Sequence, residues 1–111
     1  MVIKEEISKK RKDFTLLCKT HNVKYLYAFG SSLSDRFDPA ESDIDLLIEI
    51  DSNDPLERGE QLLALWDLFE GFFRRKVDLL TDSSIRNPFL RKSIDSTKVL
   101  IYDGSAQKVL I

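Results

Sequence analysis

The chain has 111 residues, 42% of them hydrophobic and 32% charged, with a formal net charge of −2. That composition fits one folded domain over residues 1–111 and excludes a disordered or collagen-like polypeptide. One cysteine, Cys18, and one histidine, His21, exclude a disulfide-stapled domain and a zinc site built from Cys and His, so any metal must take oxygen ligands.

In chain order, Ile3, Ile7, Phe14, Leu17 and Cys18 repeat at helical spacing and predict one helix over Ile3 to His21. Lys9 to Lys12 fall off that stripe and face solvent, Asn22 stops the helix, and His21 interacts with its last carbonyls. Lys24 to Phe29 is a nearly continuous apolar run, suited to a central strand, and Gly30 closes it. Ser31 to Arg36 reads as a short helix ended by Asp38-Pro39. Ile44 to Ile50 is a second strand. Asp54-Pro55 opens a helix to about Gly71, with Leu62, Leu65, Trp66, Phe69 and Phe73 on its apolar face. Lys76 to Leu80 is a third strand, Asn87-Pro88 opens a helix to about Ser96, and Lys98 to Tyr102 is a last short strand. The apolar tail Val109-Leu110-Ile111 suits either a partner or dimer surface or a fold back onto the core. No leader-like start and no run of membrane-spanning length is visible, which predicts a soluble cytoplasmic protein with no membrane partner. The basic runs Lys9–Lys12 and Arg74–Lys76 lack interleaved aromatic residues, so nucleic acid is not the expected partner.

The charge is unevenly placed. From Gly30 to Asp54 there are eight acidic residues and one base, Arg36. Within that segment Ser42-Asp43-Ile44-Asp45-Leu46-Leu47-Ile48-Glu49-Ile50 alternates. A strand would put Ile44, Leu46, Ile48 and Ile50 on the core face, and Asp43, Asp45, Leu47 and Glu49 on the other. Asp43 and Asp45 then stand with Cα atoms roughly 6.6 Å apart. Two carboxylates so placed repel unless a proton or a cation lies between them. Asp78 sits inside the apolar run Val77-Asp78-Leu79-Leu80, where burying an unpaired charge is costly. It either pairs with Arg74, Arg75 or Lys76, or its strand neighbours the Asp43 strand and three carboxylates converge on one metal site. Upstream, Gly30 lets a backbone approach a ligand closely, and Ser31 and Ser32 add hydroxyl donors beside free N–H groups that suit phosphate.

Gly30-Ser31, eleven intervening residues, Asp43-Ile44-Asp45, and Asp78 on a later strand resemble the polymerase-beta-type nucleotidyltransferase superfamily, and the short length resembles its minimal branch. The resemblance implies an α+β fold, with a small mixed sheet and helices packed mainly on one face. It implies that Asp43 and Asp45 hold two Mg²⁺ ions and that Asp78 completes the catalytic one. It also implies that Gly30 and Ser31, with Ser32 and Arg36 nearby, hold the phosphates of ATP. Relatives often carry Arg directly after Gly-Ser and a further Gly a few residues on; here those places hold Ser32 and Asp35, and Arg36 would supply the positive charge. An acceptor hydroxyl would attack the α-phosphate, with Asp78 as a candidate to take its proton. No residues remain for an acceptor domain, so the expected acceptor is external. A hydroxyl on a HEPN-domain protein partner is the first expectation, which makes the chain an antitoxin that adenylylates its toxin. A non-catalytic antitoxin with a vestigial site and a small-molecule, aminoglycoside-type transferase are the alternatives, the latter completed by a homodimer.

Overall fold

The computed structural model describes residues 2–33 and 43–111, without the side chains of Val2 and Ser31. Instead of one long first helix there are two, α1 (Val2–Lys9) and α2 (Arg11–Thr20), broken at Lys10 with φ −136° and ψ 45°. The break lets Ile3 and Ile7 on one segment, and Phe14 and Cys18 on the next, all turn inward; each is at most 1% exposed. Asn22, at φ 58°, ends α2 in the left-handed region that asparagine tolerates. His21 turns away from the helix end, and its Nδ1 lies 2.9 Å from Gln61 Oε1.

The strands are β1 (Val23–Phe29), β2 (Ile44–Ile50), β3 (Val77–Thr81), β4 (Val99–Asp103) and β5 (Lys108–Val109). Among the described residues they form one mixed sheet in the order β3-β2-β1-β4-β5. β2 and β3 are parallel and the other neighbours antiparallel. The parallel pair is joined by α3 (Pro55–Phe73), as a parallel connection requires. Asp54 caps α3 by accepting from Leu56 N–H at 3.0 Å, and Pro55 opens it. A second capped helix, α4 (Pro88–Thr97), begins where Asn87 accepts from Phe89 and Leu90 N–H.

Helices α1, α2 and α3 share one face of the sheet. There Phe14 packs against Phe69, Phe72 and Phe73 with ring centroids 5.1–6.0 Å apart, over Leu26, Ala28, Leu46, Ile48 and Leu79. The opposite face carries a smaller cluster, Phe29, Leu47, Ile85 and Ile94, covered by α4. The fold is therefore the expected α+β arrangement with helices mainly on one face.

β3 lies at the edge of the sheet, and its outward groups at Val77 are taken by α3. Trp66 Nε1 donates to Val77 O at 2.7 Å, and Glu70 Oε2 accepts from Val77 N–H at 3.0 Å. That blunts the start of an edge which would otherwise invite pairing. The C-terminal tail folds onto the core: Val109 is buried and pairs with Tyr102, Leu110 N–H donates to Ile101 O, and Ile111 packs beside it. Arg11 Nη2 holds the Ile111 main-chain oxygen at 2.6 Å. Among the described residues no helix is long and apolar enough to cross a membrane.

Candidate active site

The alternation of β2 places Ile44, Leu46 and Ile48 in the core, each at most 2% exposed. Asp45 is thereby held on the opposite face, half-buried, and Asp43 stands exposed just before the strand. Because β2 and β3 are parallel in the register Asp45↔Asp78, these two residues are direct neighbours across the ladder. Adjacent strands lie roughly 4.8 Å apart, so both carboxylates are carried on one short row. Asp78 is exposed, not buried as its apolar neighbours Val77 and Leu79 suggest. It stands at the start of an edge strand, while Leu80, two residues on and on the same face, packs against the Phe29, Leu47, Ile85 and Ile94 cluster. None of the ion pairs among the described residues includes Asp78.

The row is not a closed cage. Among the described residues no three His, Cys, Asp or Glu side chains are grouped so as to enclose a metal ion. Asp45 and Asp78 come together, with Asp43 at the entrance of the strand.

β1 ends next to this row, at Phe29, the ladder partner of Asp45. The chain then turns through a 3-10 segment, Gly30–Leu33. Gly30 is required twice over. Its φ of +65° is strained for any residue with a side chain, and a Cβ there would lie 2.6 Å from Asp45 Oδ2. The Asp45 carboxylate thus fills the space that the glycine leaves. Ser32 is 1% exposed, and its Oγ accepts from the Asp45 N–H at 2.8 Å. The sequence pattern did not reveal this contact inside the protein. The side chain of Ser31, Arg36 and the expected helix end at Asp38-Pro39 lie outside the described residues.

Further along the same strands a cleft of about 610 Å³ opens, lined among others by Tyr27, Leu47, Glu49, Arg58, Thr81 and Lys98. Lys98 Nζ stands 4.7 Å from the centre of the Tyr27 ring. Leu47 and Glu49 from the Asp45 side of β2 and Ile48 and Ile50 from its core side both line it, so the cleft opens at the end of the strand away from the carboxylates.

Solved structures share this fold. One structure, described as a "putative minimal nucleotidyltransferase", is 26% identical with a TM-score of 0.54, over 85% of this chain and 92% of that one. A crystal structure of a toxin–antitoxin with AMP-PNP shares the fold at a TM-score of 0.57 and 19% identity, over 85% of this chain and 73% of that one. The sequence profile described as "Polymerase beta, Nucleotidyltransferase" matches residues 12–107, and the chain belongs to that family of nucleotidyltransferases. Two relatives from Methanocaldococcus jannaschii, each named "Putative protein adenylyltransferase" (MJ1379 and MJ0126), are 35% and 34% identical over 99 residues, 89% of this chain and 94% of each relative.

Proposed function

We propose that this nucleotidyltransferase moves AMP from ATP to a hydroxyl on a partner protein, and that the partner is a HEPN-domain toxin for which the chain is the antitoxin. The observation that carries the reading is the Asp45↔Asp78 register beside a glycine turn shaped around the Asp45 carboxylate. The protein acceptor is supported by the names of the relatives, and the toxin by the fold shared with a toxin–antitoxin structure.

The donor set fits Mg²⁺: hard carboxylate oxygens on an open face, with room for phosphate oxygens and water to complete the coordination. Asp43, Asp45 and Asp78 would hold two such ions, which when bound neutralise charge on the attacking and leaving oxygens of a phosphoryl transfer. The chain's own groups do the rest. Gly30 and Ser31, on the β1 side of Asp45, bind the β- and γ-phosphates, and Arg36 supplies positive charge for them. Asp78, exposed on the β3 side, accepts the proton of the acceptor hydroxyl. The hydroxyl oxygen bonds to the α-phosphorus, the bond to the bridging oxygen breaks, and pyrophosphate leaves toward the glycine turn. In-line displacement needs the acceptor and pyrophosphate on opposite sides of phosphorus. In this reading pyrophosphate lies on the side of the β1 turn and the acceptor on the side of Asp78.

The experiment is incubation of the chain with ATP labelled at the α-phosphate, Mg²⁺ and a candidate HEPN-domain partner protein. Label on the HEPN protein, lost with Asp45→Ala, is expected. Neutralisation of the toxin by Asp45→Ala with no label transferred would replace this reading with an antitoxin that acts by occlusion. Label on an aminoglycoside instead would move the acceptor to small molecules.

A further inference from the structure

We infer that Ser32 is a positioning residue for Asp45: its hydroxyl accepts from the Asp45 amide at the last rung between β1 and β2, and so fixes where the Asp45 carboxylate stands. The inference rests on the reading of Asp45 as a metal ligand. Ile44 N–H is bonded across to Lys76 O, on the β3 side. Successive backbone groups on a strand point to opposite sides, so the Asp45 N–H faces β1. There Phe29↔Asp45 is the last rung of the ladder, and Gly30, at φ +65°, turns the chain away. At this rung the amide donates to Ser32 Oγ at 2.8 Å.

Burial makes this contact a fixed one. Ser32 is 1% exposed, the only serine, threonine, amide or charged side chain buried among the described residues. A buried hydroxyl is retained where it has a partner, and the partner here is the backbone of the central carboxylate. Two restraints therefore act on Asp45 from one turn. Ser32 holds its main chain, and the missing side chain of Gly30 leaves the space for Oδ2. Removing the hydroxyl would take this acceptor from the amide and loosen the carboxylate at the end of its strand. Groups that orient a ligand in this way typically govern metal affinity by about 10–100-fold.

The test uses the full chain, Ser32→Ala and Ser32→Thr, with Mn²⁺ plus a non-hydrolysable ATP analogue as the probe. Mn²⁺ affinity is read from water-proton relaxation, and hydrogen exchange at the Asp45 amide by NMR on the same samples. Ser32→Ala should keep its far-UV circular dichroism, lose about tenfold in exchange protection at the Asp45 amide, and bind Mn²⁺ about 10–100-fold more weakly. Ser32→Thr keeps the hydroxyl and should restore both readouts. A serine that serves stability alone would lower the melting temperature of Ser32→Ala but leave the Mn²⁺ affinity of the folded protein unchanged, and that result overturns the inference. Equal losses in the alanine and threonine variants overturn it too. If Ser32→Ala does not fold, Ser32→Cys carries the same comparison with a weak sulfur acceptor. No Mn²⁺ binding by the unaltered chain would remove the metal reading itself, and the inference with it; normal binding there with no change in Ser32→Ala removes the inference alone.

Discussion

On one face of β2, Ile44, Leu46 and Ile48 are at most 2% exposed beneath α1, α2 and α3. On the other, Asp45 lies open beside Asp78, and only Leu47, further on, is covered by α4 and Ile85. The covered face supplies stability: each fully buried side chain of this size contributes roughly 1.5–3 kcal/mol. The open face costs stability, because like charges directly opposite in a ladder repel. The strand therefore holds two carboxylates in register by means of residues that never touch them. Chemistry on one face and folding energy on the other should be separable by mutation.

The largest effect is expected from the carboxylates themselves. Asp45→Ala and Asp43→Ala should each lower AMP transfer by about three orders of magnitude or more, since the bound ions supply several kcal/mol at about 1.4 kcal/mol per decade. Melting temperature in metal-free buffer should stay or rise, because a repulsion is removed. Normal transfer in either variant would break the comparison.

Asp78→Asn comes next. It keeps the shape of the side chain but loses the charge and the proton acceptor. Transfer should fall roughly a hundredfold or more, the usual scale for a general base, while ATP affinity measured on the same preparation is largely kept. Retained turnover would return Asp78 to the surface and leave two carboxylates at the site.

The covered face predicts the converse. Leu46→Ala should cost about 2–5 kcal/mol in urea unfolding, as a buried leucine does. Per folded molecule, its transfer rate and Mg²⁺ dependence should match those of the unaltered chain. A changed Mg²⁺ dependence would mean that the two faces are coupled.

This division also explains what the sequence could and could not convey. β2 was readable to its end residues because Ile44, Leu46 and Ile48 alternate into the core, although Leu47 is buried on the second face as well. The break at Lys10 was not, because Lys9 to Lys12 carry no apolar signal and the bend is set by where Phe14 and Cys18 must pack. The burial of Val109 depends on its pairing with Tyr102, a long-range contact that two residues cannot announce. Asp43, Asp45 and Asp78 stood out as charges among apolar residues, and the strand order brings Asp45 and Asp78 side by side. Asp78 is exposed at the start of an edge strand, a position that periodicity does not encode. Ser32 was visible only as a hydroxyl near a glycine; its contact with the Asp45 amide needed the turn of the chain at Gly30.

The smallest effect lies far from both faces, at the turn after β4. Asp103 Oδ1 accepts from Ser105 Oγ at 2.7 Å and from Ser105 N–H at 2.9 Å, and these bonds hold its carboxyl below the ordinary value of 3.8. A depressed carboxyl stabilises the fold at pH values above that ordinary value. The contribution is lost as pH falls through 3.8 toward the lower folded-state value, because the native state must then give up a charge it favours. Asp103→Asn keeps an oxygen that can accept both bonds but has no charge to lose. Its melting temperature should be slightly below that of the unaltered chain at pH 7, and the gap should close as the pH is taken from 5 toward 3. Since Asp103 is only partly covered and still reaches solvent, the gap will be small, and salt should shrink it further. Melting curves in paired buffers at low and high ionic strength check this. A gap that persists unchanged at pH 3 would assign the effect to packing of the turn instead of to the carboxylate.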